Sequence, residues 1–416
     1  MLRKTIRILL SAVIALLLVG TSTVDAAEVL KIGALFPMTG DLSRLGIDSF
    51  QGAELARIVQ NEMGGLLGKK IVFVRGDAVT PKAAMTEAER LITIEGVDII
   101  LGTYSSSRSY AASEVAEKYG KIYWEQGAVS NKITERGLKN LFRLCPKSSQ
   151  YAEFAMNFVV KGVCPKIAID PKKLRLAVVF EDSLYGTTTG EFVLKQCEKL
   201  GINMVASESY SAKATDLSSL VMKLKDAKPD VLVGTQYLTD GILFWRQAKE
   251  LNFNVKAFVG TGGGPSMYDY GDALGDDATG VIDTSFCPPS DTVNRNYAPG
   301  VEEFLKKYRQ VFKQEITSVY PPINYTHSMV LWDVIKRAGS TDPKAVRKAA
   351  FQTDIPDQTT VTGYGIKFDS TGQNIRARVI LEQWQDRKLY PVWPPQAASP
   401  GREAILPMPK WEERPK

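Results

Sequence analysis

Short apolar segments alternate with amphipathic segments along most of the chain, and this alternation constrains the fold more than any other feature. It first predicts strands at 29–36, 70–75, 97–102 and 121–124, with helices at 49–63, 82–94 and 107–118 between them. It then begins again, with strands at 175–180, 204–207, 230–234 and 257–260 and helices at 151–163, 187–200, 217–227 and 242–251. Such alternation is typical of a doubly wound parallel sheet. The sequence therefore predicts an α/β protein with two similar lobes.

The last third of the chain has a different character. The pattern predicts a strand at 280–286, helices at 301–312, 324–338 and 343–351, and an antiparallel hairpin of 365–369 with 377–385. Seven prolines follow Tyr390 within the last 26 residues, and proline interrupts regular elements. This Pro-rich tail, residues 391–416, is either disordered or wrapped along a lobe. Trp393, Leu406 and Trp411 favour wrapping, because they offer apolar anchors.

The chain contains a single histidine, His327, and this limits the chemistry available to it. Histidine is the usual general base and the commonest nitrogen ligand of metals, and no nucleophile or metal-ligand spacing surrounds this one. We therefore interpret His327 as structural and expect neither an enzyme nor a cofactor. The formal charge is +6 and no run of lysine or arginine reaches five residues, so we expect no nucleic-acid partner.

Residues 1–26 have the three parts of a secretory signal peptide. Basic residues near the start precede an apolar run at 8–20, and small and polar residues follow up to Ala26. The run is shorter than the roughly 20 residues that span a membrane, so we expect cleavage after Ala26 rather than a retained anchor. No cysteine lies near the cleavage point, which disfavours a lipoprotein. The sequence thus predicts an exported protein.

Four cysteines are present, and an oxidising compartment permits disulfides. Cys197 falls within a helical pattern and is compatible with a buried thiol. A bridge from Cys145 to Cys164 or to Cys287 is favoured, and the sequence does not choose between the two.

The loops that follow the predicted strands form the candidate ligand site, because open α/β sheets bind ligands at the carboxyl ends of their strands. One strand runs into 102–107, where hydroxyls and free N–H groups at a helix start form a receptor for a carboxylate. The alternative is an ordinary serine cap. Tyrosines after strands of the second lobe present rings to a cleft or lie on the surface. The candidate residues are Ser106, Ser107, Glu125, Gly127, Ala128, Val129, Tyr185 and Tyr237.

Several motifs, in their order and spacing, carry a resemblance to a known family. They are Lys31-Ile32-Gly33 with Pro37-Met38-Thr39-Gly40, Gln51-Gly52-Ala53-Glu54-Leu55-Ala56, Val97-Asp98-Ile99-Ile100-Leu101-Gly102 with Ser105-Ser106-Ser107, Glu135-Arg136-Gly137, and Tyr185-Gly186. Nearly all of 28–390 resembles a periplasmic solute-binding protein of the leucine/isoleucine/valine-binding (type I) family, which serves ABC transporters. The resemblance implies two Rossmann-like doubly wound lobes joined by a three-strand hinge, which close over a ligand.

The resemblance also implies where the chain crosses between the lobes. Crossovers are expected near Cys145, near Cys287 and at 354–362, so the two cysteines become neighbours in the hinge. The implied division is 27–144 plus 288–357 for lobe 1 and 145–287 plus 358–390 for lobe 2.

Residue by residue, the resemblance implies the ligand contacts. Ser106 occupies the position whose hydroxyl and N–H bind the ligand carboxylate, and Gly127 the position whose backbone contacts the ligand. Leu45 falls where a pocket-lining side chain stands. Tyr185 and Tyr237 match two tyrosines of the second lobe that close over the ligand.

Two positions depart from the amino-acid binders of this family. Val129 stands where they carry a threonine, and Gly262 stands where they carry the glutamate that pairs with the ligand ammonium. An unpaired buried ammonium would cost several kcal/mol. Either another acid, such as Glu125 or Asp240, substitutes for that glutamate, or the ligand has no amine.

The resemblance implies a function without covalent chemistry. A monomer would capture a small carboxylate, either a branched-chain or hydrophobic amino acid or a related organic acid, and deliver it to the permease subunits of an ABC importer. The alternatives are a ligand-sensing subunit of a receptor and a binder specific for amine-free aromatic or aliphatic carboxylates.

Overall fold

The computed structural model describes residues 28–288 and 292–414, so the signal peptide predicted at 1–26 lies outside the described residues. The strands are β1 (Val29–Phe36), β2 (Lys70–Asp77), β3 (Ile99–Gly102), β4 (Ile122–Glu125), β5 (Leu141–Arg143), β6 (Arg175–Glu181), β7 (Asn203–Tyr210), β8 (Val231–Gln236), β9 (Ala257–Gly263), β10 (Ile282–Ser285), β11 (Ile380–Gln385) and β12 (Lys388–Trp393). The longer helices are α1 (Ser43–Glu62), α2 (Pro81–Thr93), α3 (Ser106–Lys118), α4 (Ser148–Phe158), α5 (Leu184–Leu200), α6 (Ser218–Asp226), α7 (Leu238–Glu250), α8 (Tyr268–Leu274), α9 (Val301–Phe312), α10 (Tyr320–Ala338) and α11 (Pro343–Phe351). Over these described ranges, no helix is long and apolar enough to cross a membrane.

The first sheet is parallel throughout and has the strand order β2-β1-β3-β4-β5. Both of its faces are covered: Phe36 of β1 packs into one apolar cluster and its neighbour Leu35 into another. α10 covers the first of these faces through Leu331 and Ile335. Strands buried on both faces are almost continuously apolar, which is why the sequence predicted them well. Only the three-residue strand β5 escaped the prediction.

The second sheet has the strand order β12-β11-β10-β9-β8-β6-β7. Its strands β6 to β10 are parallel, whereas β11 and β12 are antiparallel additions at one edge. Successive residues of β6 again face opposite clusters, with Val178 in one and Val179 in the other. The two series of strands and helices therefore form two similar α/β halves, as the sequence predicted.

The predicted hairpin of 365–369 with 377–385 is wrong. Around its turn the chain forms an antiparallel bridge between Phe368 and Asn374, while β11 pairs with β12 instead. The turn between β11 and β12 is Asp386-Arg387, and both residues have positive φ, 50° and 61°. Such a tight hairpin turn usually contains glycine or asparagine. Because this turn contains neither glycine nor asparagine, the sequence pattern did not reveal it and paired β11 with 365–369 instead.

The Pro-rich tail wraps along the second half of the molecule as far as residue 414, which is the second of the two alternatives. β12 contains Pro391, which an edge strand tolerates because one side of it makes no ladder bonds. Beyond it, Trp393 packs against Phe158 with ring centroids 5.8 Å apart, and Trp411 packs against Trp245 at 5.2 Å. The tail is thus part of the apolar core.

The third crossover lies later than predicted. Ile366 and Phe368, which the prediction assigned to lobe 2, pack into the core of the first sheet. Gln373 then bridges to Arg143 of β5, where its Oε1 accepts from the arginine Nε at 2.6 Å. The chain therefore crosses at 375–379, because the segment before it completes the core of the first lobe.

The second crossover is longer than predicted. Val293 and Tyr297 pack with Ile380 of β11 and Ala397 of the tail, so the chain returns to the first sheet only at α9. We therefore define lobe 1 as 28–144 plus 300–374 and lobe 2 as 148–285 plus 380–414.

The four cysteines are buried free thiols, so the predicted bridges from Cys145 do not form. Cys145 and Cys287 do lie in one apolar cluster at the first two crossovers. The Cys145 thiol lies 3.6 Å from the carbonyl oxygen of Ala128 and donates to it. Burial raises the pKa of both hinge thiols well above the ordinary range, which keeps them protonated.

His327 is structural, as predicted. α10 places its ring in the interior, with Nδ1 2.9 Å from the carbonyl oxygen of Gln126 and Nε2 2.9 Å from the hydroxyl of Tyr364. Burial lowers its pKa to about 3, so the ring is neutral. The histidine thus ties the loop after β4 to the chain that leads to the third crossover.

Candidate functional site

A small cavity lies between the lobes, at the carboxyl ends of the parallel strands. It measures about 30 Å³, which is room for about one water molecule. Among the described residues that line it there is no aspartate or glutamate. The lining consists mainly of aromatic side chains and glycines: Tyr104, Ser106, Gly127, Val129, Tyr151, Tyr185, Tyr237, Thr261, Gly262, Gly263, Phe286 and Tyr320.

The start of α3 forms the polar part of the lining. The side chain of Ser105 does not cap this helix, because its hydroxyl accepts from Arg108 Nη1 at 3.2 Å instead. The first N–H groups of α3 therefore remain available, and the helix dipole favours an anion beside them. The Ser106 hydroxyl accepts from the N–H of Ser130 at 3.2 Å, which leaves its own hydrogen free to donate. This arrangement suits a carboxylate.

Glu125 and Ala128 do not line the cavity. At the end of β4, Glu125 Oε1 accepts from the N–H groups of Gly127 and Ala128 at 2.8 and 2.7 Å, and it thereby holds the turn that brings Gly127 to the cavity. A Cβ at Gly127 would lie 3.2 Å from the Cβ of Tyr104, so glycine permits this close approach. Ala128 packs into the core of lobe 1. Glu125, whose pKa burial raises, is thus directed at the backbone.

Leu45, Ser107 and Asp240 lie at the mouth of the cleft, in a groove of about 770 Å³. The Ser107 hydroxyl accepts from the N–H of Leu184 at 3.3 Å, which links α3 of lobe 1 to α5 of lobe 2. Asp240 accepts from the hydroxyl of Tyr210 and is not among the residues that line the cavity. Neither of the acids named as substitutes for the family glutamate therefore reaches the cavity.

Tyr185 and Tyr237 face each other on the lobe 2 wall, with ring centroids 5.1 Å apart. The Tyr185 hydroxyl donates to the carbonyl oxygen of Gly262 at 2.7 Å, and it lies 3.1 Å from that of Thr261. α5 begins at Leu184 rather than at 187, and α7 at Leu238 rather than at 242. Both tyrosines therefore sit at helix starts, where backbone geometry directs them at the cleft.

Further aromatic residues line the cavity outside the predicted contact set. The rings of Tyr104 and Tyr320 lie 5.9 Å apart, and those of Tyr151 and Phe286 lie 6.2 Å apart. Tyr104 has a φ of 77°, a region that side chains other than glycine rarely adopt. Residues held in such conformations cluster at functional sites. Tyr104 could have been found from the sequence, because it lies in the loop after a predicted strand. Tyr151, Phe286 and Tyr320 reach the cavity only through the way the chain crosses between the lobes.

Gly262 and Gly263 form part of the lobe 2 wall of the cavity. Their φ angles are 94° and 89°, and a Cβ on Gly262 would lie 2.9 Å from Tyr151 Cε1. A side chain at Gly262 would therefore meet both backbone strain and the ring of Tyr151. The N–H of Gly262 donates to Asp283 Oδ1 at 2.9 Å, which holds this turn in place.

A layer of buried carboxyl groups lies behind the lobe 2 wall. Asp283 of β10 stands directly opposite Glu382 of β11, and Ser266 donates to Asp283 while neither oxygen of Glu382 has a partner among the described groups. Burial raises the pKa of Asp283 and of Asp240 to about 7, and it also raises those of Glu382 and Glu181. Within the described chain, these carboxyls belong to no cluster able to hold a metal ion.

The lobes touch each other around the cavity. Arg44 Nε of α1 lies 2.6 Å from Asp269 Oδ2 of α8, and the hydroxyls of Ser130 and Thr188 lie 2.9 Å apart. Each of these contacts joins lobe 1 to lobe 2. The structure is therefore a closed form, in which residues of both lobes complete the cavity.

Two α/β lobes that close over a cavity at the carboxyl ends of their strands define a type I periplasmic binding protein. The model of the periplasmic binding protein family matches residues 29–388. The chain is also 40% identical over 391 residues to the Leu/Ile/Val-binding protein homolog 7 of Brucella suis biovar 1 (strain 1330), which covers 94% of this chain and 97% of the relative. The chain thus belongs to the periplasmic binding protein family, among the Leu/Ile/Val-binding proteins, and has a solute-binding role.

Solved structures agree with this fold. The branched-chain amino acid transporter substrate-binding protein LivJ of Streptococcus pneumoniae, in complex with isoleucine, matches with a TM-score of 0.75 and 21% identity over 90% of this chain and 100% of that chain. A solute-binding protein of an ABC transporter from R. palustris, in complex with benzoate, matches with a TM-score of 0.75 and 20% identity over 91% and 99%. At these identities the likeness concerns the fold alone.

Proposed function

We propose that this protein is the extracytoplasmic binding subunit of an ABC importer and captures a small carboxylate that carries no N–H ammonium group. The carboxylate would accept hydrogen bonds from Ser106 and from the first N–H groups of α3. The rest of the ligand would lie among the aromatic rings, and closure of the lobes would bury it for delivery to the permease.

One observation carries this proposal: the cavity pairs an uncapped helix start with a lining that contains no aspartate or glutamate among the described residues. A primary ammonium group has three N–H donors and needs acceptors when it is buried, because an unsatisfied buried charge costs several kcal/mol. The Gly262 carbonyl that faces the site already accepts from Tyr185. Glu125 is engaged by its own turn. A ligand without N–H donors brings no hydrogen-bond donor for which the cavity would have to supply an acceptor.

A second candidate is a hydrophobic amino acid, as in the isoleucine complex of LivJ. The observation that favours it is the second lone pair of each carbonyl oxygen at Thr261 and Gly262, which a ligand ammonium could use beside the Tyr185 hydroxyl. By contrast, the benzoate complex from R. palustris supports the first candidate, because it is a precedent within this fold for a ligand without an amine.

Location and partners follow from the same family membership. We propose export through the signal peptide at 1–26 and function as a monomer that docks on permease subunits. A ligand-sensing subunit of a receptor would use the same site and the same closure of the lobes. The proposed ligand is therefore the same whether the protein serves an importer or a receptor.

Thermal-shift titration with matched ligand pairs tests the proposal. Each amino acid is compared with its amine-free analogue: leucine with 4-methylpentanoate, and phenylalanine with 3-phenylpropionate, with benzoate added. A ligand at 100 times its Kd stabilises the folded protein by about 2.7 kcal/mol, which moves the melting temperature visibly. We expect shifts with amine-free acids only. Shifts with the amino acids only would contradict the amine-free ligand class, and no shift with any carboxylate would contradict the proposed function itself.

A further inference from the structure

Six aromatic rings surround the cavity, and five of them belong to tyrosines. They form three contacting pairs with centroid separations of 5.1 to 6.2 Å: Tyr185 with Tyr237, Tyr104 with Tyr320, and Tyr151 with Phe286. One pair comes from lobe 1 and one from lobe 2, while the third joins Tyr151 of lobe 2 to Phe286 at the second crossover. The rings therefore approach the ligand position from three sides.

The hydroxyl groups of two of these tyrosines are directed at the backbone and not at the ligand. Tyr185 donates to the carbonyl oxygen of Gly262 at 2.7 Å, and Tyr104 donates to the carbonyl oxygen of Leu42 at 3.3 Å. With these hydroxyls engaged, the two residues offer the cavity mainly their ring surfaces. The face of a tyrosine ring is electron-rich and attracts cations.

Buried carboxyl groups stand directly behind the rings of lobe 2. Asp240 accepts from the N–H of Tyr237 at 3.3 Å, and Glu181 accepts at 2.7 Å from the N–H of Gly186, which follows Tyr185. Asp283 accepts from the N–H of Gly262, which lines the cavity. A positive charge in the cavity would therefore have these three carboxyls behind the lobe 2 wall.

Three kinds of ligand group can be compared at this position. A primary ammonium would need hydrogen-bond acceptors that the cavity supplies poorly. A neutral alkyl or aryl group would fill the cage but would gain nothing from the electron-rich faces of the rings. A quaternary ammonium has no N–H to satisfy, and aromatic cages are the usual means by which proteins recognise it.

We propose that the ligand is a carboxylate that also bears a quaternary ammonium group, a betaine-type zwitterion, with the carboxylate at Ser106 and the cation among the tyrosine rings. This inference rests on the proposed function, because it takes the position of the carboxylate from it. Since the rings come from both lobes and the cavity of this structure holds about 30 Å³, the lobes would have to part to admit the trimethylammonium group and would close around it less tightly than they do here.

The test compares each betaine with a ligand of the same shape that lacks the positive charge. Glycine betaine is compared with 3,3-dimethylbutanoate, and 4-trimethylammoniobutanoate with 5,5-dimethylhexanoate, by isothermal titration of the purified protein. In each pair a quaternary carbon replaces the quaternary nitrogen, so size and hydrophobic contact are matched. For at least one pair we expect the betaine to bind about tenfold or more tightly, which is the contribution of a desolvated cation–π site.

Two variants of Tyr237 locate the effect in the rings. Tyr237→Leu removes one ring, and we expect it to lower the preference for the betaine over its uncharged partner by about threefold or more. Tyr237→Phe keeps the ring and should keep a preference close to that of the unmodified protein. Because the readout is a ratio of two affinities, a general loss of stability in the leucine variant does not imitate the result.

The outcomes separate this inference from the proposed function. Equal affinities within both pairs, or tighter binding of the uncharged partners, overturn the inference and leave the proposed function standing, since every ligand is a carboxylate without N–H groups. Failure of all four ligands while benzoate or 4-methylpentanoate binds has the same meaning. If no carboxylate binds at all, the proposed function fails and the inference falls with it.

Discussion

The two walls of the cavity come from lobes of the same architecture, yet the hydrogen-bond donors and charged groups beside them differ. In lobe 1 the start of α3 has no side-chain cap, and Ser106, its first residue, lines the cavity. In lobe 2, Ser183 caps α5 by accepting from the N–H of Tyr185, while α7 has no side-chain cap but carries Asp240 in its first turn. The lobe 2 helix starts are therefore either capped or beside an acid, whereas the start of α3 has neither a side-chain cap nor an acid in its first turn.

The buried charged and ionisable groups behind the two walls also differ. Behind the lobe 1 wall, the buried guanidinium of Arg143 donates to the carbonyl oxygens of Ala128 and Ser130, in the turn next to Ser106. Behind the lobe 2 wall lie Asp283 and its neighbouring carboxyls, whose pKa values burial raises. The buried groups next to the lobe 1 wall thus include a guanidinium, whereas those next to the lobe 2 wall are carboxyls.

The largest expected effect comes from filling the lobe 2 wall. Gly262→Glu should abolish binding of every carboxylate, a loss of about 100-fold or more, because the new side chain enters a cavity of about 30 Å³, meets the ring of Tyr151 and adds an unpaired buried charge. Calorimetric titration measures the change. Gly339→Glu is the matched control, since Gly339 also has positive φ but has open space around its Cβ position. Improved binding of an amine-free acid to Gly262→Glu would refute the assignment of this wall.

An intermediate effect is expected on the lobe 1 wall. Ser106→Ala should weaken binding by about 1–3 kcal/mol, since it removes a hydrogen bond to a charged group. The affinity for benzoate or for the tightest ligand of the panel provides the measurement. Ser218→Ala serves as the control, because Ser218 is also the first residue of a helix, α6, but lies away from the cavity. Unchanged affinity in Ser106→Ala would show that this serine does not bind the ligand, and the proposed difference between the two walls would then be wrong.

The smallest effect concerns the pH dependence that the lobe 2 acids impose on folding. Burial raises the pKa of Asp283 to about 7, so between about pH 4 and 7 the folded protein holds a proton that the unfolded chain has released. Its contribution to stability is therefore greatest in acid and falls as the pH rises to about 7. Asp283→Asn cannot lose a proton, so its stability should fall less between pH 5 and 7, by on the order of 1 kcal/mol.

Urea denaturation at pH 5, 6 and 7 measures this slope. Asp272→Asn is the control, because Asp272 is an exposed acid on α8, a helix of the same lobe that packs against the second sheet. A slope in Asp283→Asn as steep as that of the unmodified protein would show that Asp283 is ionised in the folded state. In that case the lobe 2 wall would carry a fixed negative charge and the contrast with lobe 1 would be sharper.

The parts of the fold that the sequence predicted well are those that local patterns encode. β1, α9 and α11 have the predicted limits, because a buried strand is continuously apolar and an amphipathic helix repeats every 3.6 residues. The third crossover and the β11–β12 hairpin were misplaced, because both depend on which sheet a segment completes. Ile366 is apolar in either lobe, and only the packing of the first sheet assigns it there.

The site divides in the same way. Ser106, Gly127, Tyr185 and Tyr237 follow strands directly, so the rule that ligands bind at strand ends pointed to them. Tyr320 lies at the start of a helix in the last third of the chain and reaches the cavity only because the chain returns to lobe 1. Tyr151 and Phe286 similarly depend on the crossovers beside them.

The sequence alone determined that the chain forms two α/β lobes and that a serine-rich helix start follows a strand of the first lobe, because periodicity and strand-end loops are local properties. The tertiary structure decided which residues face the cavity. Glu125 lies close to the candidate site in sequence, yet its carboxylate turns into its own loop. Six aromatic residues spread between positions 104 and 320 converge on one cavity. Burial and convergence arise from packing between distant segments, and no local pattern in the sequence records them.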